Sequence, residues 1–364
     1  MFKHVQRGPP DPMFTLKTLA DNDLSPKKVD LGIGVYRNEE AQYHELRAIK
    51  AYEITTGDSS FVKNASHVIF GKQSELVCSQ RVTSVQTISG TGANHLAALF
   101  LSRCPAFKGK QVHIGTPAWG NYEPLFGPVG FEVVKYRHYD PQKTAVDFPA
   151  LLDTVTKAPP HSVFWHALAQ AMKKSQLFPF FDIAYQGLGI SMEDDAYGIR
   201  LFAEMGFELV ACQSFSKNFG IYGERCGVLH VVSENAEIAS NIYDQLRCLI
   251  RWEFSSSPAY GSRLVNTVLT DTRLIELWLD ELAVMRKRLV DNRQRLYHAL
   301  VNERKVYSIQ PSVVDEHIYL PLSPQQCLKL RSKFHIYLPE NGRINIAGLN
   351  SSNMDLVDQR STRW

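Results

Sequence analysis

Residues 213–227, Gln-Ser-Phe-Ser-Lys-Asn-Phe-Gly-Ile-Tyr-Gly-Glu-Arg-Cys-Gly, gather a lysine, serines and an arginine in one short segment after a strand-like run. A lysine amine condenses with an aldehyde to form a Schiff base, and hydroxyl and guanidinium groups donate to a phosphate dianion. The chemistry this spacing suggests is the anchoring of a phosphorylated aldehyde, with Lys217 as the catalytic amine and Ser214, Ser216 and Arg225 on the phosphate. A single lysine in a polar loop is more often simply solvated, so the reading depends on what the rest of the chain supplies.

Ser89-Gly90-Thr91-Gly92-Ala93 lies between a strand-like and a helical run, where converging backbone amides and a helix N-terminus suit a phosphate. Such turns also serve only to reverse the chain, and the spacing is not that of the dinucleotide fingerprint. Phe178–Tyr185 reads as an apolar strand ending in Asp182, at the strand end where open α/β sheets hold ligands. A buried carboxylate there needs a cation such as a protonated pyridine nitrogen, and Tyr185 is placed to reach the ring's phenolic oxygen. The plain alternative is an aspartate that caps the next segment. Trp119, after another strand, offers a face for a planar ring or merely closes a core edge. Arg251 and Arg343 carry the planar fork that matches a carboxylate, so together they suit the two ends of a dicarboxylic amino acid. With 40 lysines and arginines in the chain, either one alone reads as a surface charge.

These residues need a scaffold that brings strand ends together. Strand-like runs at Val82–Ile88, Gln111–Gly115, Phe178–Asp182 and Leu209–Ser214 alternate with amphipathic runs such as Ala93–Leu101, which is the pattern of a mostly parallel sheet covered by helices on both faces. Apolar positions at helical spacing from Ser262 to about Glu303 predict one or two long helices. Beyond them, β-rich pieces at Ile318–Leu322 and Ile344–Ala347 flank a helical run, Pro324–Lys333, predicting a smaller α+β domain. The proline-rich first dozen residues read as an arm lying on another surface.

A length of 364 residues allows more than one core, and a net charge of +3 without a basic, aromatic-interleaved run argues against a nucleic-acid partner. The six cysteines show neither C-x-x-C nor zinc-ligand spacing, so no metal or disulfide framework is expected and a cytoplasmic location is. No apolar stretch is long enough to span a membrane.

The set resembles aspartate aminotransferase, a pyridoxal-phosphate enzyme of fold type I. Pro9–Pro12, Leu31–Arg37, Ser89–Ala93, Trp119, Phe180–Gly187, Gln213–Gly227, Arg251–Pro258 and Gly342–Leu349 carry the likeness in the family's order. The resemblance implies a seven-stranded sheet, with an arm over 1–12, a small domain from 13–44 and 286–364, and a large cofactor-binding domain over 45–285. It implies pyridoxal 5'-phosphate on Lys217, Asp182 at the ring nitrogen, Tyr185 at O3′ and Trp119 on the ring. Ser89, Gly90, Thr91, Ser214, Ser216 and Arg225 would hold the phosphate. Arg343 would take the substrate α-carboxylate, Arg251 from the other subunit of a homodimer its distal carboxylate, and Gly34 would line the substrate side. The implied reaction moves the amino group of L-aspartate to 2-oxoglutarate. Aromatic or broad specificity, another reaction of the same fold, and a non-catalytic relative are the alternatives.

The likeness has departures. Tyr122 stands where the family usually has a histidine behind the carboxylate of the ring nitrogen. The motif His-Glu-Tyr-Leu-Pro is missing near Ser60–Phe61, the Asn-Pro-Thr-Gly loop is missing at Phe164–Trp165, and shorter pieces are missing near 314–318, Glu40–Ala41 and Leu188–Ile190. A loss at Phe164–Trp165 should leave central sheet donors unpaired, so mobile loops are expected to intervene at these junctions.

Overall fold

The structure, a computed structural model, describes residues 1–8, 22, 54–140, 145–165, 168–298, 317–320, 322–340, 342–350 and 353, with the backbone alone at 165, 317–319 and 343. Runs rich in β-branched and aromatic residues form β1 (Val82–Ile88), β2 (Gln111–Thr116), β3 (Glu132–Arg137), β4 (Val163–Trp165), β5 (Phe178–Ile183), β6 (Leu209–Ser214) and β7 (Cys226–Val232). They pair into one seven-stranded sheet in the order β1-β7-β6-β5-β4-β2-β3. β3, β2, β4, β5 and β6 run parallel, while β7 is antiparallel to both β6 and β1.

Alternate residues of β6 enter different cores, which is how a strand serves helices on both faces. Val210 and Cys212 join one core with Val85, Leu96, Leu101, Phe178 and Leu246. Leu209 and Ala211 join the other with Ile69, Phe164, Phe202 and Leu151. The helices covering the sheet include α1 (Ser59–Phe70), α2 (Ser89–Arg103), α3 (Tyr122–Phe126), α4 (Met192–Glu204) and α5 (Ala236–Glu253). Side chains at their starts take up orphan amides: Asp58 accepts from Phe61 N at 2.6 Å, Ser191 from Asp194 N at 2.9 Å and Asn235 from Ile238 N at 2.9 Å.

The expectation of loops at the two main junctions is overturned. The Asp58 cap and the Val62 N–H, which donates to Asp58 O at 3.0 Å, carry α1 straight through Ser60–Phe61. At Phe164–Trp165 the ladder continues, with Phe164 in register with Pro179 and Trp165 with Phe180. A three-residue β4 keeps its place between β2 and β5, so the neighbouring strands retain their partners. The turn at Leu188–Ile190 is likewise closed, because Gly187, Gly189 and Ile190 N–H groups all donate to the Asp195 carboxylate at 2.8, 3.0 and 2.8 Å. Residues 314–316 and Glu40–Ala41 lie outside the described residues.

The first residues lie on their own chain. Phe2 is fully buried among Phe100, Phe107 and Phe178, and Asn241 and Gln245 donate to the carbonyls of Val5 and Gln6 at 3.3 and 2.8 Å. The long apolar periodicity resolves into α6 (Ala259–Thr270) and α7 (Thr272–Tyr297), the latter started by Asp271, which accepts from Arg273 N at 2.9 Å. α8 (Pro324–Phe334), with a Ser323–Gln326 capping box, packs with α7 in a third core, beside the antiparallel pair β8 (His317–Tyr319) and β9 (Arg343–Asn345). Among the described residues no helix is long and apolar enough to cross a membrane.

Candidate active site

The C-terminal ends of β5 and β6 meet the N-terminus of α2. α2 starts at Ser89 rather than at Ala93, so the glycine turn itself forms its first turn, and no side chain caps it. That leaves an N-terminus of the kind that binds anions. Ser89 and Arg225 both adopt positive φ, 60° and 52°, the left-handed region that non-glycine residues seldom occupy. The two are locked together: Ser89 N donates to Arg225 O at 2.8 Å, and the Arg225 guanidinium donates to Ser89 Oγ and, at 2.8 Å, to Tyr222 O.

β6 delivers the hydroxyls. Ser214 ends it, and the Ser216 N–H approaches Ser214 Oγ at 3.3 Å. Gly90 lies so close that a Cβ built on it would sit 2.8 Å from Ser214 Cβ. Ser89, Gly90, Ser214, Ser216 and Arg225 thus form one cradle of amides, hydroxyls and a guanidinium, with Thr91 exposed on the same helical turn. This donor set suits a phosphate dianion.

Asp182 lies near the end of β5. Although the residue as a whole is only half-buried, its carboxyl is the enclosed end, and burial pushes it up to about 6. Hydrogen bonds from Tyr122 and Asn94 and the charge of Lys217 pull the other way. The Tyr122 hydroxyl donates to Asp182 Oδ2 at 3.0 Å, and the Asn94 amide also donates to Gly90 O at 2.8 Å. Trp119 packs edge-on against Tyr122 with ring centroids 5.3 Å apart. Lys217 Nζ sits over the Tyr185 ring, 4.7 Å from its centroid. Lysine, ring-facing tyrosine and buried carboxylate are therefore one cluster, with the phosphate-type cradle one strand end away. A protonated ring nitrogen would relieve the buried carboxyl, so the residues fit pyridoxal phosphate.

The remaining expected residues are not brought to this cluster by the described geometry. Arg251 is exposed in the last turn of α5, its guanidinium bonded to Ser255 Oγ of the same chain. Arg343 opens β9, paired in register with Tyr319, and its side chain is not among those described. Gly34 lies outside the described residues. Asn94, which sequence reading did not single out, has one local signal: it falls one helical turn after Gly90, on the face that looks toward β5.

The sequence profile of the family described as aminotransferase class I and II matches residues 26–359. The chain is 40% identical over 372 residues to aminotransferase TasG of Hapsidospora irregularis, covering 97% of this chain and 93% of that one. It is 33% identical over 388 residues to the mitochondrial aspartate aminotransferase of Dictyostelium discoideum, covering 97% and 91%. Among solved structures, it is similar to an aromatic-amino-acid aminotransferase from Burkholderia pseudomallei covalently bound to pyridoxal phosphate, with a TM-score of 0.80, 31% identity and coverage of 99% and 98%. It is equally similar to the aspartate aminotransferase of Saccharomyces cerevisiae cytoplasm, with a TM-score of 0.81, 30% identity and coverage of 100% and 99%.

Proposed function

The chain belongs to the class I and II aminotransferases, and from that premise we propose that it transfers the amino group of L-aspartate to 2-oxoglutarate with pyridoxal 5'-phosphate held at Lys217. The observation that carries the reading is the Lys217 amine over the Tyr185 ring at 4.7 Å, within the electrostatic reach of a buried Asp182.

Bound pyridoxal phosphate supplies an aldehyde carbon for amine exchange and a ring that takes up the electrons of the Cα–H bond. The rest is the work of this chain. Asp182 keeps the ring nitrogen protonated, and Tyr122 and Asn94 orient Asp182. Arg225, Ser89, Ser214, Ser216 and the amides of α2 fix the phosphate, which sets the ring's position. The Lys217 amine would take up the substrate Cα proton and hold it for return, acting as the base and then the acid of the exchange.

Arg343 takes the α-carboxylate, with Gly34 on the same side. Arg251, exposed at the end of α5, reaches the distal carboxylate of a substrate in a second copy, so that two copies share their sites. An apolar side chain would leave that arginine poorly paired, which favours aspartate and glutamate. Likeness to aromatic aminotransferases supports aromatic donors as a second class. The test is the 2-oxo acid released from aspartate, tyrosine and alanine in the presence of 2-oxoglutarate. Product from aspartate supports the reading, and product from alanine alone would overturn the dicarboxylate preference.

A further inference from the structure

Helix α7 grips both turns of the lysine cluster along one stripe. Trp278, Leu282 and Arg286 recur every fourth residue and so share a face. The Trp278 indole N–H donates to the Asn218 carbonyl at 2.7 Å, and its ring stacks on Phe219 with centroids 4.5 Å apart and planes 28° apart. Asn218 is in turn held from the other side, its amide donating to Gln186 O at 3.2 Å. The residues directly after Lys217 are thus clamped between α7 and the turn that follows Tyr185.

The second turn is held by the same helix. Arg286 donates to Gly187 O at 2.8 Å, and Gly187, at φ 88°, comes so near that a Cβ there would lie 2.9 Å from Leu282 Cδ1. Further along, α7 fixes the residues just after β9: Arg288 donates to Ala347 O and Leu349 O at 3.0 and 2.8 Å, and Asn292 to Leu349 O at 2.8 Å. Trp278, Leu282, Leu289, Leu296, Ile346 and Leu349 belong to one continuous core that also touches Tyr185 and Phe219.

From this we infer that Trp278 is a positioning residue for Lys217, and that α7 is the strut tying the lysine's turn to the strand that bears Arg343. The inference rests on Lys217 being the reacting amine. Lys217 and Tyr185 are joined through space by a contact that bends easily, and the backbone beneath the lysine is what sets its direction. The Trp278 indole N–H, on a residue only 8% exposed, anchors that backbone from the α7 side. Removing it leaves a buried carbonyl without its donor while the ring core persists.

The experiment is Trp278→Phe in the full chain, which retains a ring for Phe219 and deletes the donor, with Trp278→Leu beside it. Two readouts are taken: hydrogen exchange of the loop 214–222, and kcat and KM for aspartate in the loaded protein. The expected result is faster exchange confined to that loop, where Gly220 N–H donates to Lys217 O at 3.1 Å. With it, kcat falls by about tenfold to a hundredfold while KM stays within about twofold, because a displaced base slows proton transfer without weakening carboxylate binding. Trp278→Leu should lose more. Unchanged kcat and exchange in Trp278→Phe, or exchange rising alike throughout α7 and α8, would overturn the inference. Lys217→Ala separates the two levels: turnover retained there overturns the function, whereas the loop's exchange response still reports on Trp278.

Discussion

The Tyr122 hydroxyl donates to Asp182 Oδ2 at 3.0 Å, joining the first turn of α3 to the end of β5. The phenol is a neutral donor, so it steadies the carboxylate without adding charge, against burial that lifts Asp182 to about 6. Tyr122→Phe should therefore raise Asp182 further, since a lost donor disfavours the charged form. The carboxylate must be ionised to hold a protonated ring, so cofactor affinity fails as pH falls through the Asp182 value. The variant should move that acid limb upward by about half to one pH unit. Cofactor titrations between pH 5 and 8 measure it, and a superimposable pair of profiles would remove the role.

Gly90 brings the start of α2 hard against the Ser214 wall of the cradle. In Gly90→Ala the new methyl meets Ser214 Cβ at 2.8 Å and pushes apart two walls of the cradle. The expected outcome is a loss of about 1–3 kcal/mol in stability with cofactor affinity down about tenfold or more. Urea unfolding and cofactor titration test it together, and wild-type values in both would show that the cradle has slack.

How far the sequence carries can be judged from particular elements. Val82–Ile88 and Leu209–Ser214 were legible as strands because uninterrupted β-formers are bounded by turns, and the structure matches those limits. β7 starts at the end of the motif that supplies Arg225 and is not set off from it by a turn, so the strand and its antiparallel pairings at one side of the sheet escape a reading by runs. The Phe164–Trp165 junction misled because spacing was weighed against family loops, whereas three ladder residues satisfy the neighbouring strands. The local sets around Lys217, Asp182 and Ser89 were legible because each occupies a strand end with characteristic residue types. The Trp278–Asn218 bond spans 60 positions and leaves no trace in local spacing.

His230 supplies a pH test of the fold itself. It is fully buried in β7, bonded to Ser84 Oγ at 2.7 Å and Gln213 Oε1 at 3.1 Å, and burial lowers it to about 3. The folded chain keeps this ring neutral while the unfolded chain protonates it near pH 6.5, so stability is full above that value and declines as pH falls toward 3. Between pH 7 and 5 this group should remove about 2 kcal/mol. His230→Gln should flatten that part of the urea-midpoint profile, and an equally steep profile would show that other groups carry it.

Arg251 decides substrate range in the proposed function. Its exposed guanidinium lies at the end of α5, bonded to Ser255. Arg251→Ala should lower kcat/KM for aspartate about a hundredfold while changing that for tyrosine by only about threefold, because only the dicarboxylate loses a bidentate partner. Equal losses on both substrates would take the arginine out of recognition.

The most direct measurement is turnover of aspartate and 2-oxoglutarate by Lys217→Ala, with the cofactor's visible absorption recorded on the same sample. The amine over Tyr185 is the proposed proton carrier, so turnover should drop by at least about a thousandfold with the folded far-ultraviolet signature kept. Wild-type turnover in that variant would contradict the assignment at its root.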